Sequence, residues 1–484
     1  MTGYQGTGQP DTPDASAAGK ARTMRRPRSG AMMAAAIASL ISVFQPGCPD
    51  GLHISFVARA IAAPPSRPGV DPATSSASTP GNSNGEQDAG ARVQMVQAVR
   101  AADVTARLGV QPDLHQGNWS TISTMISQAH LIGAGTLRIL NPTQGNRVTA
   151  TGAVDQLVLA GFRLSLIANP GDSPDENVAA VARIEKRFPG SIALVEGPNE
   201  PNNWGVDHAG LSGIPGAQAW QKDFYAAMKA NKATAHLPVA GLSSYPFVAA
   251  DSDLNNLHVY PNNGDQATEE IQATIGRQEA VDPHKPFVIT EMGWYTLPGQ
   301  RAPGTQWMGV DERTQAKLLL NAYLSAVQLG AGQILFFSLR DWPATEPDGR
   351  FGMFQNDDKP KLAARVFSNL RAVMRDMGSA AASFAPASLA YSVAGAPGMR
   401  SLLMQKSNKG FILALWREPR VWDPEAVKSL ETPGAETSLR LAAPADITVY
   451  EPLAGPEPSQ TLPQVDKIRV SVADSPVLLL IRSR

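Results

Sequence analysis

The sequence predicts an α/β fold, a closed (β/α)8 barrel of the TIM type followed by a small C-terminal β-sandwich, and three observations predict it. Eight β-prone runs recur through the middle of the chain, from "VTARLGV" to "QILFFSL". Between them lie segments whose apolar residues return at spacings of three and four, the signature of one buried helix face. After Gly378 that periodicity stops, and short β-prone runs separated by Pro, Gly and Asn take its place.

Taken in order, the elements begin with residues 1–63, which read as an export signal or a membrane-proximal segment. Arg22, Arg25, Arg26 and Arg28 precede the apolar run "AMMAAAIASLISVF", and the small-residue stretch "AIAA" follows it. The run falls short of the about 20 residues that span a bilayer. A cleaved signal is therefore favoured over a permanent anchor, and the expected location is periplasmic or extracellular, with tethering by this segment as the other outcome. The bland alternative is a disordered tail with a chance apolar patch. Residues 64–92, rich in Pro, Ser, Gly and Asn, read as a disordered linker.

The barrel is expected over residues 93–378. Its strands are "VTARLGV", "AGTLRIL", "FRLSLIA", "SIALVEG", "LPVAGLS", "NLHVY", "PFVITEM" and "QILFFSL", with helices such as "ENVAAVARIEKRF" and "RTQAKLLLNAYLSAVQLG" between them. An open doubly wound sheet is the competing architecture. It would show a glycine-rich phosphate turn after its first strand, and "VTARLGVQPDLH" has none. The helix "KLAARVFSNLRAVMRDMG" is expected to end on Gly378. The sandwich is expected over residues 379–484, from "SLLMQKS", "GFILALW", "ITVYEPL", "KIRVSVA" and "PVLLLIR".

Composition narrows the chemistry. Of 484 residues 43% are hydrophobic and 18% charged, with a formal net charge of -1, the balance of a soluble globular chain rather than a nucleic-acid binder. Cys48 is the only cysteine, so neither an intrachain disulfide nor a thiolate metal cage can form. There is no GxSxG elbow, HExxH helix or Walker-type loop, and seven histidines without close pairing argue against zinc. No metal or organic cofactor is called for.

In such a barrel the working face lies at the C-terminal ends of the strands. Two ends carry an isolated carboxylate: Glu200 after "SIALVEGPN" on the fourth strand, and Glu291 in "PFVITEMGWYT" on the seventh. Acetal cleavage requires such a pair, one group to protonate the departing oxygen and one to attack or stabilise the oxocarbenium-like centre. Glu196 lies inside the fourth strand, where a structural hydrogen bond is the expected role.

The "NEP" of Asn199-Glu200-Pro201 together with "TEMGW" resembles clan A of the retaining glycoside hydrolases, most of all family 39 and its bacterial relatives associated with exopolysaccharide. The resemblance covers about residues 100–375 and more weakly the sandwich. It implies Glu200 as acid/base, Glu291 as nucleophile and Asn199 as donor to the sugar 2-hydroxyl. It further implies Arg138 supporting the nucleophile, His258 and Tyr260 of "LHVYP" as a polar pair with the tyrosine beside the nucleophile, and Trp342 of "SLRDWP" as the aromatic floor of the sugar subsite. Read from the residues alone, Arg138 is as well an ion-pair partner inside the barrel, His258 a core histidine, and Pro201 the first turn of a helix. Trp294 is a further candidate sugar platform, with Trp119 and Trp204 for outer subsites. Gln144, Asn202, Asn203 and Asp341 are candidates for setting sugar preference.

The partner so implied is a polysaccharide or oligosaccharide. Two alternatives stand: a non-catalytic carbohydrate-binding or scaffolding component of a polysaccharide biosynthesis or export machine, and a transglycosylase using the same residues. The aromatic content of 6% fits a long tryptophan-lined cleft poorly.

Overall fold

The computed structural model describes residues 92–112, 114, 122–143, 151–302, 307–342 and 346–483. The segment read as an export signal (residues 1–63), all but the last residue of the one read as a linker (64–92), Trp119 and Gln144 lie outside the described residues.

Eight parallel strands form the barrel: β1 (Leu108–Val110), β2 (Thr136–Leu140), β3 (Arg163–Ala168), β4 (Ile192–Pro198), β5 (Val239–Ala240), β6 (Asn255–Val259), β7 (Phe287–Met292) and β8 (Ile334–Phe336). β8 pairs with both β7 and β1, and a parallel bridge between Ala240 and Leu254 joins β5 to the start of β6. Each strand thus has a neighbour on both sides, which removes the open-sheet alternative. All seven residues of β4 are buried, as a parallel strand covered on both faces requires.

Helices α1 (Ile122–Ile132), α2 (Thr151–Leu159), α3 (Pro174–Arg187), α4 (Gly213–Ala230), α5 (Ala267–Glu279), α6 (Glu312–Gln328) and α7 (Leu362–Met374) ring the strands. α3 shows how locally the sequence dictates this. Ser173 and Glu176 close a capping box, Pro174 opens the first turn, and Lys186 and Arg187 face the carbonyl end.

Three expectations are corrected. The first half of "VTARLGV" is not strand: Val104 and Thr105 close a helical turn, Ala101–Thr105, where Thr105 Oγ1 donates to the Ala102 carbonyl. No helix separates β5 from β6; residues 241–254 run as a loop containing Pro246 and a turn-prone "DSD". α7 stops at Met374, because Arg375 already takes an extended conformation (ψ 123°), and Gly378, at φ 92°, precedes the next short helix instead.

The C-terminal region is an eight-stranded, largely antiparallel sheet built from β9 (Ser388–Ala394), β10 (Arg400–Gln405), β11 (Phe411–Trp416), β12 (Ala435–Tyr450), β13 (Pro458–Val472) and β14 (Val477–Arg482). Two strands come from the segment expected to open the barrel: Gln94–Gln97 pairs with β9, and Val99–Arg100 with β10. The first part of β12 pairs with β9 and the last part with β14, around an irregularity between Arg440 and Ala445. The long β12–β13 hairpin therefore carries two sets of partners around one core, the sandwich that the sequence predicts.

β11 explains the uninterrupted run "FILALW". Phe411, Leu413 and Leu415 join the core of the sheet, while Ile412, Ala414 and Trp416 join that of the barrel. The fully buried Trp416 donates its indole N–H to Ser325 Oγ on α6 at 3.0 Å. Below it Lys317, fully buried on α6, meets Asp474 at 2.9 Å. The sheet is thus docked on the outside of α6 by both apolar burial and a buried ion pair.

Candidate active site

Glu200 lies just past the C-terminal end of β4. Asn199 bridges to Ser243, the strand ends, and Glu200 adopts a left-handed backbone (φ 41°, ψ 59°) before Pro201 opens the short helix Pro201–Trp204. A non-glycine residue there carries on the order of 1 kcal/mol of strain, which concentrates at sites where side-chain direction matters. The helix-start reading of Pro201 is therefore met too, and it is this turn that aims the carboxylate. His258 Nδ1 donates to Glu200 Oε1 at 2.8 Å, and Asn203 Nδ2 donates to Oε2 at 2.9 Å.

Glu291 arrives from β7, where Gly293 follows because a side chain there would strike the Phe337 carbonyl oxygen at 2.3 Å. Its carboxylate, in a residue 7% exposed, accepts from Arg138 Nη1 at 2.5 Å and from the Tyr260 hydroxyl at 2.6 Å. One atom each of Glu200, His258 and Glu291 lie within 4.8 Å of one another. That spacing would also suit a metal ion. However, both oxygens of Glu291 are already engaged by donors, one of them a guanidinium that repels a second cation.

Arg138, 1% exposed on β2, organises the floor. It donates to Glu196 from Nε at 3.0 Å, to Gln111 from Nη1 at 2.6 Å, and to Asn199 Oδ1 from Nη2 at 2.8 Å, besides Glu291. Both readings of Arg138 thus hold at once: it is the partner of a buried acid and the support of Glu291. Because Arg138 takes the Asn199 oxygen, the amide nitrogen of Asn199 is the end left to donate. Glu196 also accepts from Ser165 at 2.6 Å, the structural role expected of it.

Burial raises the Glu196 carboxyl, but the Arg138 charge and hydrogen bonds, with that of Ser165, outweigh it and hold the group below its ordinary value. The same contest governs Glu200: burial pushes up, while His258, Asn203 and Arg138 together pull it below the usual carboxylate range. Burial, with the negative charge of Glu291 beside it, raises Tyr260 well above its ordinary value, so its hydroxyl keeps its proton and donates.

A cavity of about 490 Å³ opens over these groups, lined by Glu200, Asn203, Tyr245, His258, Tyr260 and Trp307 among others. Trp307, Tyr245 and Phe337 are the residues that sequence reasoning passed over. Trp307 is 38% exposed, with its ring 5.8 Å from that of Tyr260. Its signal was available, a tryptophan in the loop after the seventh strand. Phe337 directly follows β8, and its ring stands 5.3 Å from Phe351 and 5.7 Å from Trp342. Trp342 is half-buried and stands edge-on to Phe337. Trp294 is corrected outright: at 3% exposure it packs in the barrel core and offers no face to a sugar. Trp204, 73% exposed beside Glu200, remains free to meet an outer part of a ligand.

The loop after β8 is pinned from below by Lys361, which donates to Asp341 at 2.8 Å and to Thr296 at 2.7 Å. Asp341 is therefore a structural anchor rather than a free specificity group. Removing one partner of a buried pair strands the other. Lys361→Met is expected to lower stability by about 3 kcal/mol, read from urea unfolding; an unchanged midpoint would show that the loop does not depend on this pair.

No family model and no curated protein matches the chain. Among solved structures it is similar to a family 39 glycoside hydrolase from the gut symbiont Bacteroides cellulosilyticus WH2, with TM-score 0.51 and 13% identity over 80% of this chain and 82% of that one. It is similar also to a monomeric β-xylosidase from Caulobacter crescentus CB15, with TM-score 0.52 and 13% identity over 80% of this chain and 98% of that one. Both alignments span more than the barrel, and at this identity the likeness is one of fold. At that level the expected fold, a (β/α)8 barrel followed by a β-domain, is met.

Proposed function

We propose that the protein is a retaining glycoside hydrolase that cleaves β-glycosidic bonds in a polysaccharide or oligosaccharide. The observation that carries this reading is the pair of carboxylates at the mouth of the barrel, one oxygen of each within 4.8 Å, with Glu200 lining a cavity together with His258 and the Tyr260 that holds Glu291. Double displacement calls for a carboxyl separation of about 5–5.5 Å, whereas inversion needs about 6.5–9.5 Å to admit a water. The short spacing supports retention. The similar fold of a β-xylosidase and a family 39 enzyme supports the same chemistry. The basic and apolar N-terminal pattern supports an exported enzyme, which places envelope and extracellular polysaccharides within its reach.

In the proposed cycle Glu291, oriented by Arg138 and Tyr260, attacks the anomeric carbon while Glu200 protonates the leaving oxygen. A glycosyl ester on Glu291 forms and the aglycone departs as an alcohol. Glu200, now a carboxylate, takes a proton from water as that water displaces Glu291 and releases the sugar with its β configuration restored. A sugar hydroxyl in place of water gives transglycosylation. A purely binding role fits less well, since it would not require Arg138 and Tyr260 to hold a second carboxylate beside the first. Incubation with a panel of β-linked glycans, with the first-formed anomer read by NMR, tests the reading; an α first product or no released reducing ends would reject it.

The depressed Glu200 sets the pH profile. The free enzyme needs Glu200 protonated, and with its pKa below the ordinary 4.5 the protonated fraction falls tenfold per unit above that value. On substrates with poor leaving groups, kcat/KM is expected to decline with a slope near minus one from about pH 5.5 to 7. A plateau through neutrality would contradict the assigned acid.

A further inference from the structure

We infer that the catalytic cavity continues onto the C-terminal sheet, where residues around Arg417 form a distal subsite for the same glycan chain; this rests on the glycosidase reading and makes the substrate a polymer. A second cavity, about 560 Å³, lies between the loop after β6 and the segment 417–420 that follows β11. It shares two lining residues with the catalytic cavity, Asn262 and Glu270. The first turn of α5 is therefore a common wall, and a chain leaving the region of Glu200 and His258 meets this second space next.

The junction is held firmly. Gly264 approaches Trp422 so closely that a side chain there would lie 2.6 Å from its Cβ. Gln266 Nε2 donates to the Pro419 carbonyl at 2.8 Å, and Thr268 donates to Glu418 at 2.7 Å. The wall is thus preformed, which lowers the ordering cost of binding.

Its chemistry is that of hydroxyl recognition. Arg400, Arg417 and Arg420 face Asp265, Glu269, Glu270 and Glu418, so the lining carries both signs with one acid in excess, which disfavours an anionic polymer, while donors and acceptors for sugar hydroxyls abound. Glu418 is already committed to Thr268 and Ser325. Arg417 is half-buried in this lining and, among the described residues, its guanidinium has no hydrogen-bond or ion-pair partner, which leaves a planar fork of donors unused. An uncharged, β-linked glycan segment fits this lining.

The test compares Arg417→Ala and Arg420→Ala with the parent enzyme. Turnover of 4-nitrophenyl β-xyloside and β-glucoside, which reach only the catalytic cavity, is expected to stay within about twofold. Affinity electrophoresis on xylan and on laminarin, in a Glu291→Ala background, is expected to show retention weakened about tenfold by Arg417→Ala, the worth of a charged hydrogen bond, with a matching fall in polymer kcat/KM. Equal losses on short and long substrates, unaltered polymer binding, or no retention of either polymer by the Glu291→Ala protein would each overturn the inference. Absence of aryl-glycoside turnover in the parent would instead count against the glycosidase reading, and the binding measurements would still decide the distal subsite.

Discussion

Glu291→Ala and Glu200→Ala are each expected to lose at least about a thousandfold in kcat with folding intact, and they should be distinguishable by what restores them. Glu200 lines the cavity and Glu291 lies close beside it, so truncation of either leaves space for a small anion. In Glu291→Ala, the Tyr260 hydroxyl loses its acceptor and Arg138 Nη1 loses one of its two, keeping Gln111, so both gain a free N–H or O–H towards that space. Azide held there attacks from the side the nucleophile vacated and gives an α-glycosyl azide from a β-glycoside. In Glu200→Ala the ester on Glu291 still forms when the leaving group needs little protonation. Azide then attacks it from the opposite side, giving a β-glycosyl azide. The acid role also makes the second variant selective, with large losses on poor leaving groups and small ones on activated aryl glycosides; Glu200→Gln should follow the same order. Identical azide products from both variants, or equal losses on every substrate, would reverse or remove the assignment.

The sequence carried the barrel because each parallel strand is a short apolar run and the helices between keep a clean period, so eight strands were legible even where only two or three residues pair. What it could not carry follows from the same physics. Val104 belongs to an apolar run that fits a strand or a buried helical turn equally well. Gln94–Gln97 is too short and too polar to be seen without its partner β9, which lies some 290 residues further on. At the site, Glu200, Glu291 and Arg138 were legible because a charged group at the end of, or within, a buried strand is costly and so conspicuous. Trp294 misled for the converse reason: an aromatic beside a motif looks the same whether it faces the cavity or the core, and only the direction of the chain after Gly293 decides. Phe337 is an ordinary apolar residue, and only folding brings its ring to Trp342, whereas Trp307 was legible as a loop tryptophan although its place beside Tyr260 was not.

Arg138→Met is expected to destabilise the protein by about 4 kcal/mol at pH 7 and to remove most turnover, and pH separates the two causes. Arg138 neutralises two carboxylates at once, Glu196 at 2.9 Å and Glu291 at 2.5 Å. Without it, Glu196 is a buried anion with only Ser165 and a long contact to Asn256 for company. In the parent, the Glu196 carboxyl sits below its ordinary 4.5, so its contribution is fully present above that value and is lost as pH falls through the lower folded value. In Arg138→Met the desolvation that Arg138 had offset goes unopposed, and the carboxyl rises. The variant then gains on the parent as acid protonates it. Urea unfolding should therefore show the gap between parent and variant at pH 7 starting to narrow already above pH 4.5, as the raised carboxyl of the variant takes up its proton, and closing further until the parent's lowered carboxyl is protonated too. Arg138→Met combined with Glu196→Leu should recover much of the stability while leaving the enzyme inactive, since Glu291 still lacks its orienting donor. A gap that is constant with pH, or a double variant that regains turnover, would mean that Arg138 acts by packing alone and that Glu291 does not depend on it.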